Sequence, residues 1–297
     1  FYFASNAKPL QVLRTDHELG GSIKIDIGFG TFDETALEDP IIQVDSPFFY
    51  VKDETLPRIY IGKTSNWKAD SVCNLGLHFT QALPVDHRVI FIQGIFESTQ
   101  TNEHKNIIGK VSISATGIPD ALLNPGLLKS DSSGFTGSTG VMRYSKSLNR
   151  LIFVYFYRGQ VVEIDTSLQS ISNWHTLDTT PTGDANGFEV SGDASVQKPR
   201  RTLINYDFQL FDGFLFVHSA LRGKGDDDAS MFQEASAIDV YDLATKGYLF
   251  SFHLPRESGE RIGSFRVLED KIVASYPGML KTYVINTDEL NSLRLPN

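Results

Sequence analysis

The sequence predicts an all-β fold, a β-propeller, from three observations. Apolar strands recur along the 297 residues, each preceded by a polar turn and followed by a loop and another strand. These runs are rich in β-branched and aromatic residues, as strands are. Helical periodicity is absent, and a helix over 122–128 is excluded by Pro125. Units of short antiparallel strands repeated about every 40 to 60 residues are typical of propeller blades.

Five such units are explicit, and each has a middle strand behind a turn-forming segment. The middle strands begin at Phe48, Val89, Leu151, Phe214 and Lys271. The strands that follow them begin at Arg58, Lys110, Val161, Ala237 and Lys281. The strands that precede them begin at Ile41, Leu77, Val141, Thr202 and Gly263. Fourth strands are predicted from Ser170, Tyr248 and Ser292.

The number of blades follows less directly, because only five units are visible. We expect six blades of four antiparallel strands, with the sixth assembled from the segment around Ile23 and the C-terminal tail, which would remove open sheet edges. Five blades remain the alternative, and a large β-sandwich is the alternative fold. Residues 8–297 are expected to form a single domain, whereas residues 1–7, FYFASNA, resemble the remnant of an expression tag.

Composition narrows the set of partners. The net charge of -9 and the pI near 5.3 disfavour nucleic acid and anionic membranes as partners. No apolar run reaches the ~20 residues that a membrane span needs. The single cysteine, Cys73, excludes a disulfide or thiolate metal site within one chain, and we predict that it is a buried, inert thiol. A monomer is expected.

Two segments carry a family resemblance. In VYFYRGQVVEIDTSL and AIDVYDLATKGYLFSF an aromatic strand or a strand ending in Asp is followed by a turn and another strand. This order resembles the six-bladed propellers related to TolB and NHL proteins, in particular the secreted or lipid-anchored propellers of Bacteroidetes. The resemblance implies a periplasmic or extracellular location, with a lipid anchor as one form of it, and supplies no catalytic residues. A repeated Trp-Asp pair, a kelch double glycine and an Asp-box are missing, which disfavours those propeller classes.

The lengths of the connections predict which face binds a ligand. The longest ones, 97–106, 129–140, 179–201 and 221–236, all join second to third strands or one blade to the next, and these connections open on one face. Arginine suits carboxylate or phosphate, and aromatic side chains suit sugars or peptides. A solvated or salt-bridged surface role is the alternative for each candidate. The candidate binding residues at this face and the channel mouth are Arg143, Arg158, Asn205, Asp207, Arg222, Arg266 and Tyr276.

The function expected from these features is recognition rather than catalysis. We predict a non-catalytic recognition or scaffold propeller that binds a protein, peptide or glycan and uses no cofactor or metal. The alternative is a hydrolase, either a glycosidase with carboxylates drawn from Asp45, Asp207 and Glu163 or a metal-dependent, lactonase-like enzyme. The acidic run 226–228 lacks the spacing of a calcium loop, and the scattered histidines match no zinc motif.

Overall fold

The structure is a computed structural model that describes residues 1–4, 10–32, 37–53, 55–97, 104–114, 117–129, 137–178, 202–221 and 235–293. The fold is the expected all-β, six-bladed propeller, with six antiparallel sheets of three or four strands and almost no helix. The chain divides into two compact units, Phe1–Phe135 and Thr136–Asn297, with three blades in each.

The first unit holds blades 1 to 3, and each strand pairs with its neighbour in the sequence. Blade 1 consists of β1 (Tyr2–Ala4), β2 (Gln11–Arg14) and β3 (Ile23–Asp26). Blade 2 consists of β4 (Pro40–Asp45), β5 (Phe48–Asp53), β6 (Arg58–Lys63) and β7 (Lys68–Asn74). Blade 3 consists of β8 (Phe79–Pro84), β9 (Val89–Glu97), β10 (His104–Ile113) and β11 (Pro119–Asn124).

The second unit holds blades 4 to 6 in the same order of pairing. Blade 4 consists of β12 (Gly140–Ser145), β13 (Arg150–Tyr155), β14 (Gln160–Asp165) and β15 (Ser170–His175). Blade 5 consists of β16 (Asn205–Phe211), β17 (Phe214–Ser219), β18 (Ala235–Asp242) and β19 (Tyr248–Pro255). Blade 6 consists of β20 (Ser264–Leu268), β21 (Lys271–Tyr276) and β22 (Met279–Val284), followed by the helix α1 (Thr287–Ser292).

The core lies between neighbouring blades of a unit. In the second unit, buried Phe214 and Phe216 of blade 5 pack with Phe265 of blade 6, and Phe208 of blade 5 packs with Ile152 of blade 4. Each such side chain contributes about 1.5–3 kcal/mol when it leaves water. The apolar middle strands that reveal the repeat are therefore the layer that holds one blade against the next.

The aspartates that end the third strands have a local structural role. Asp165 accepts hydrogen bonds from the backbone N–H of Gln169 at 2.8 Å, and Asp242 accepts them from Ala244 at 2.7 Å and Thr245 at 2.8 Å. The bond from Gln169 lowers the pKa of the Asp165 carboxyl. Because a short carboxylate can pair with N–H groups two to four residues ahead, it fixes the turn into the fourth strand. The strand-Asp-turn motif is thus explained by turn chemistry.

The predicted strands are confirmed in all five units, but the ends of the chain differ from expectation. The strand predicted from Ser292 is wrong, because Ser292 ends α1, whose N-cap Asn286 accepts from the Glu289 N–H at 3.2 Å. Within the described residues, blade 1 is not assembled from both ends of the chain as expected, since β1, β2 and β3 all come from the N-terminal segment. Residues 2–4 of the suspected tag remnant form β1, which pairs with β2.

Cys73 lies where the sequence predicted. It is buried in β7 against the core of blades 2 and 3, and burial raises the pKa of its thiol. A buried thiol with a raised pKa holds little thiolate at neutral pH and is therefore a poor nucleophile.

Candidate functional site

The candidate site lies on the first strands of blades 4, 5 and 6, because β16 contacts both β12 and β20. Each of these strands contributes one of the residues predicted from the sequence, namely Arg143, Asp207 and Arg266. We call these three residues the arginine cluster. All of them belong to the second unit.

Arg143 and Asp207 are fixed against each other. Arg143 Nη2 lies 2.7 Å from Asp207 Oδ1, and Arg143 Nε donates to the backbone carbonyl of Phe208. The Arg143 guanidinium also lies 5.6 Å from the centroid of the Phe208 ring. Asp207 accepts two further hydrogen bonds, from the Phe208 N–H at 2.7 Å and from Gln209 Nε2 at 3.2 Å. Hydrogen bonds and the Phe208 ring therefore fix the side chains of both Arg143 and Asp207.

Arg266 has different surroundings. Its Nη1 donates to the carbonyl of the preceding Phe265 at 3.2 Å, and within the described residues it forms no salt bridge. The residue is exposed to solvent, yet the protein around it is dense enough for burial, with a smaller effect of Arg143, to lower its pKa to about 10. Arg266 remains charged at neutral pH.

His218 stands beside the cluster and was not predicted. It is the cross-strand partner of Asp207, it is buried, and its burial lowers its pKa to about 4. The imidazole is therefore neutral at pH 7. The Tyr206 ring packs on it at a centroid distance of 4.7 Å, and Arg261 Nη1 donates to the Tyr206 hydroxyl at 3.4 Å.

Arg158 and Asn205 lie on the predicted face and join blade 4 to blade 5. Arg158 is buried, its guanidinium lies 4.4 Å from the centroid of the Tyr155 ring, and its Nη2 donates to the carbonyl of Gly137. Asn205 Nδ2 donates to the carbonyls of Tyr155 at 2.8 Å and Arg158 at 3.2 Å. These contacts fix the start of β16, the strand that carries Asp207, and a direct role of either residue in binding stays a prediction.

Tyr276 and Arg222 complete the predicted set. Tyr276 is buried in the core of blades 5 and 6, where its hydroxyl donates to the carbonyl of Pro255 at 2.8 Å and lies 2.9 Å from the Tyr283 hydroxyl. Arg222 lies outside the described residues, as do most of the long connections and the acidic run 226–228.

The first unit has a similar bridge between first strands. Gln43 on β4 donates through Nε2 to the carbonyl of Pro84 on β8 at 2.9 Å, much as Arg143 on β12 donates to a β16 carbonyl. Lys52 Nζ donates to the carbonyl of Ala82 at 2.5 Å. A polar side chain that reaches the next blade is therefore a recurrent structural element. This structural role accounts for the hydrogen bond from Arg143 to the β16 carbonyl.

The carboxylates expected for a hydrolase have separate surroundings. Glu163 is buried on β14, a third strand, where it accepts from Arg150 Nη1 at 3.0 Å and from Trp174 Nε1 at 3.1 Å. Asp207 lies on a first strand, and Asp45 belongs to the first unit. Within the described part of the chain, no group of three or more His, Cys, Asp or Glu residues could hold a metal ion. Nor is any helix there long and apolar enough to cross a membrane.

Comparison with solved structures gives the same fold. The chain matches a member of the DUF4221 family from Bacteroides vulgatus with a TM-score of 0.57, at 10% identity, over 96% of this chain and 89% of that one. It also matches a candidate 6-phosphogluconolactonase from Bacteroides uniformis with a TM-score of 0.50, at 13% identity, over 93% and 74%. At these identities the likeness shows the fold alone. No protein-family model and no curated protein matches the sequence.

Proposed function

We propose that the protein is a non-catalytic recognition or scaffold propeller that binds a protein, peptide or glycan at the arginine cluster. The observation that carries this proposal is Arg266, a charged residue on the exposed surface that forms no salt bridge with the described residues. Arginines that only stabilise a fold are usually paired, since an unsatisfied charge among protein atoms costs free energy. Arg266 is therefore available to a ligand.

The position of the cluster along the strands supports the same proposal. Asn205 and Tyr206 begin β16, and His218 lies near the end of β17. The connection 179–201 enters β16 and the connection after 221 leaves β17, so both long connections start or end beside these residues. Ligand-contacting residues concentrate on loops that a rigid scaffold holds. The working face expected from loop length is consequently the face on which we place the ligand.

A hydrolase is the second candidate, and the fold likeness to a candidate 6-phosphogluconolactonase favours it. Against it, Glu163 is fully engaged by Arg150 and Trp174, so it lacks a free face for a substrate. Hydrolysis assays with lactone and aryl-glycoside substrates distinguish the two candidates. Turnover abolished by Asp207→Asn would favour the hydrolase.

The cellular location and the oligomeric state belong to the proposal as well. The TolB- or NHL-like resemblance supports a periplasmic or extracellular protein, and we propose that it acts there as a monomer. Cell fractionation and light scattering test these two statements.

The experiment that tests the proposed function is a binding screen. Labelled protein is applied to peptide and glycan arrays, together with the Arg266→Gln variant and an Arg88→Gln control. Arg88 is an exposed residue of the turn before β9 in the first unit, so its substitution removes the same charge elsewhere. We expect binding by the wild type and by Arg88→Gln. Equal binding by Arg266→Gln would contradict the proposed site.

A further inference from the structure

The charges in the arginine cluster do not balance. Two other ion pairs among the described residues of the second unit are one to one, namely Arg150 with Glu163 and Lys281 with Glu257. In the cluster, the single carboxylate of Asp207 faces the two guanidinium groups of Arg143 and Arg266. This local excess of positive charge lies in a chain whose net charge is -9. Such a local positive field favours a negatively charged ligand.

Asp207 has little capacity left for Arg266. Its oxygens already accept from Arg143 Nη2, from the Phe208 N–H and from Gln209 Nε2, and a carboxylate has about four acceptor positions. Arg143 is likewise held by Asp207 and by the Phe208 carbonyl. Asp207 cannot turn to neutralise Arg266 without breaking its bond to Arg143, which joins blade 4 to blade 5.

The two described neighbours of the cluster, His218 and Arg261, carry no negative charge. His218 is buried and neutral, and Arg261 is close enough for its positive charge to oppose protonation of that imidazole. Arg266 itself uses one N–H on a neutral backbone carbonyl, whereas a guanidinium has five donors arranged as a fork. A planar carboxylate or a phosphate fits two parallel donors of such a fork.

From this geometry we infer that Arg266, together with Arg143, forms an oxyanion subsite that takes a carboxylate or phosphate group of the ligand. The inference rests on the proposed function, since it specifies the chemistry of the ligand bound at that site. Asp207 acts here as a positioning residue that fixes Arg143. It also sets the strength of the subsite, because its negative charge repels an approaching anion.

The test is a calorimetric titration at low ionic strength with two probes, inorganic phosphate and succinate. The proteins are the wild type, Arg266→Gln, Arg266→Lys and the Arg88→Gln control. We expect Arg266→Gln to weaken binding of the preferred probe about tenfold or more, because a charge-assisted contact is lost. Arg266→Lys should give an intermediate loss, since it keeps the charge but not the fork. The preferred probe identifies the group as phosphate or carboxylate.

The results that would contradict the subsite differ from the array results that would contradict the proposed function. Failure of the wild type to bind either probe, or unchanged affinity in Arg266→Gln, would overturn the subsite. An array ligand without acidic groups would then leave the recognition function standing. Binding of phosphate or succinate by a protein that captures no peptide or glycan would instead support the subsite and contradict the proposed function. Circular dichroism of each variant checks that the β-fold is retained.

Discussion

Arg143 on β12 and Asp207 on β16 join the first strands of two neighbouring blades through a 2.7 Å contact between Nη2 and Oδ1. Their side chains are only 23% and 19% exposed, so solvent screens this pair less than a surface pair. The contact lies over the buried packing of Phe208 with Ile152, which joins the same two blades. Polar and apolar contacts therefore stabilise the same interface, that between blades 4 and 5.

Replacing Asp207 by Asn should lower the free energy of unfolding by about 1–2 kcal/mol, since charge-assisted hydrogen bonds are lost at a partly exposed site. Urea denaturation measures the change. The control is Asp120→Asn, at an exposed position on β11, which should change stability by less than about 0.5 kcal/mol. Equal stabilities of the two variants would show that the pair does not hold the blades together.

Glu163→Gln tests whether this carboxylate is structural. Glu163 is 1% exposed and accepts from Arg150 and Trp174, so the neutral amide should cost about 1–3 kcal/mol of stability. Exposed Glu269 supplies the control Glu269→Gln. Binding of array ligands should be unchanged in both variants. A stable Glu163→Gln protein that has lost binding or turnover would place Glu163 in the functional site instead.

The stabilising contribution of His218 should depend on pH. Because burial holds its pKa in the folded state at about 4, below the ordinary value of about 6.5, the unfolded chain takes up a proton first as the pH falls. The contribution is therefore complete above about pH 7 and declines as the pH falls toward 4. Asp207 and Arg261 are the charged groups that act on this imidazole.

Urea denaturation of the wild type and His218→Gln between pH 8 and pH 4 measures this effect. The difference in unfolding free energy between the two proteins should shrink on acidification. Titration of other carboxylates is common to both proteins and cancels in the difference. A difference that stays constant over this range would mean that His218 is not buried in its neutral form.

Gly62 on β6 tests the packing of blade 2. A Cβ added there would lie closer to the Phe49 ring and the Lys68 carbonyl oxygen than real Cβ atoms come. Gly62→Ala should therefore cost about 1–3 kcal/mol through overpacking. In Gly28→Ala the nearest atom to the new Cβ is 3.9 Å away, on Lys68, and thermal unfolding should show little change. Equal melting temperatures for the two variants would refute the close approach.

The middle strands could be predicted because their signal is local. Apolar runs such as the one beginning at Leu151 are buried along their whole length, and Ile152 and Val154 pack with residues of blade 5, so few polar residues interrupt them. The outer strand β11 was not predicted, for the opposite reason. None of its residues is buried, and it begins with Pro119, which disfavours a strand in sequence-based interpretation. Edge strands need less hydrophobic pattern than central ones.

Part of the candidate site could also be predicted. Arg143, Asp207 and Arg266 are polar residues at the middle of first strands, and equivalent strands of neighbouring blades lie side by side. His218 could not be assigned in this way, because it lies on β17, and a shift in register between Asn205 and Asp207 determines its partner. Local sequence gives no signal for such a β-bulge. The bonds of Arg143 depend likewise on residues more than 60 positions away.

Hydrogen-deuterium exchange with and without the strongest-binding member of the peptide and glycan arrays tests the central claim most directly. If ligand is recognised at the arginine cluster, amide protection should increase in 202–221 and 263–277, which contain Asp207, His218 and Arg266. The same ligand should give no added protection to the Arg266→Gln variant at a concentration that saturates the wild type. Protection confined to 40–124, in the first unit, would contradict the claim that this protein recognises its ligand through the arginine cluster.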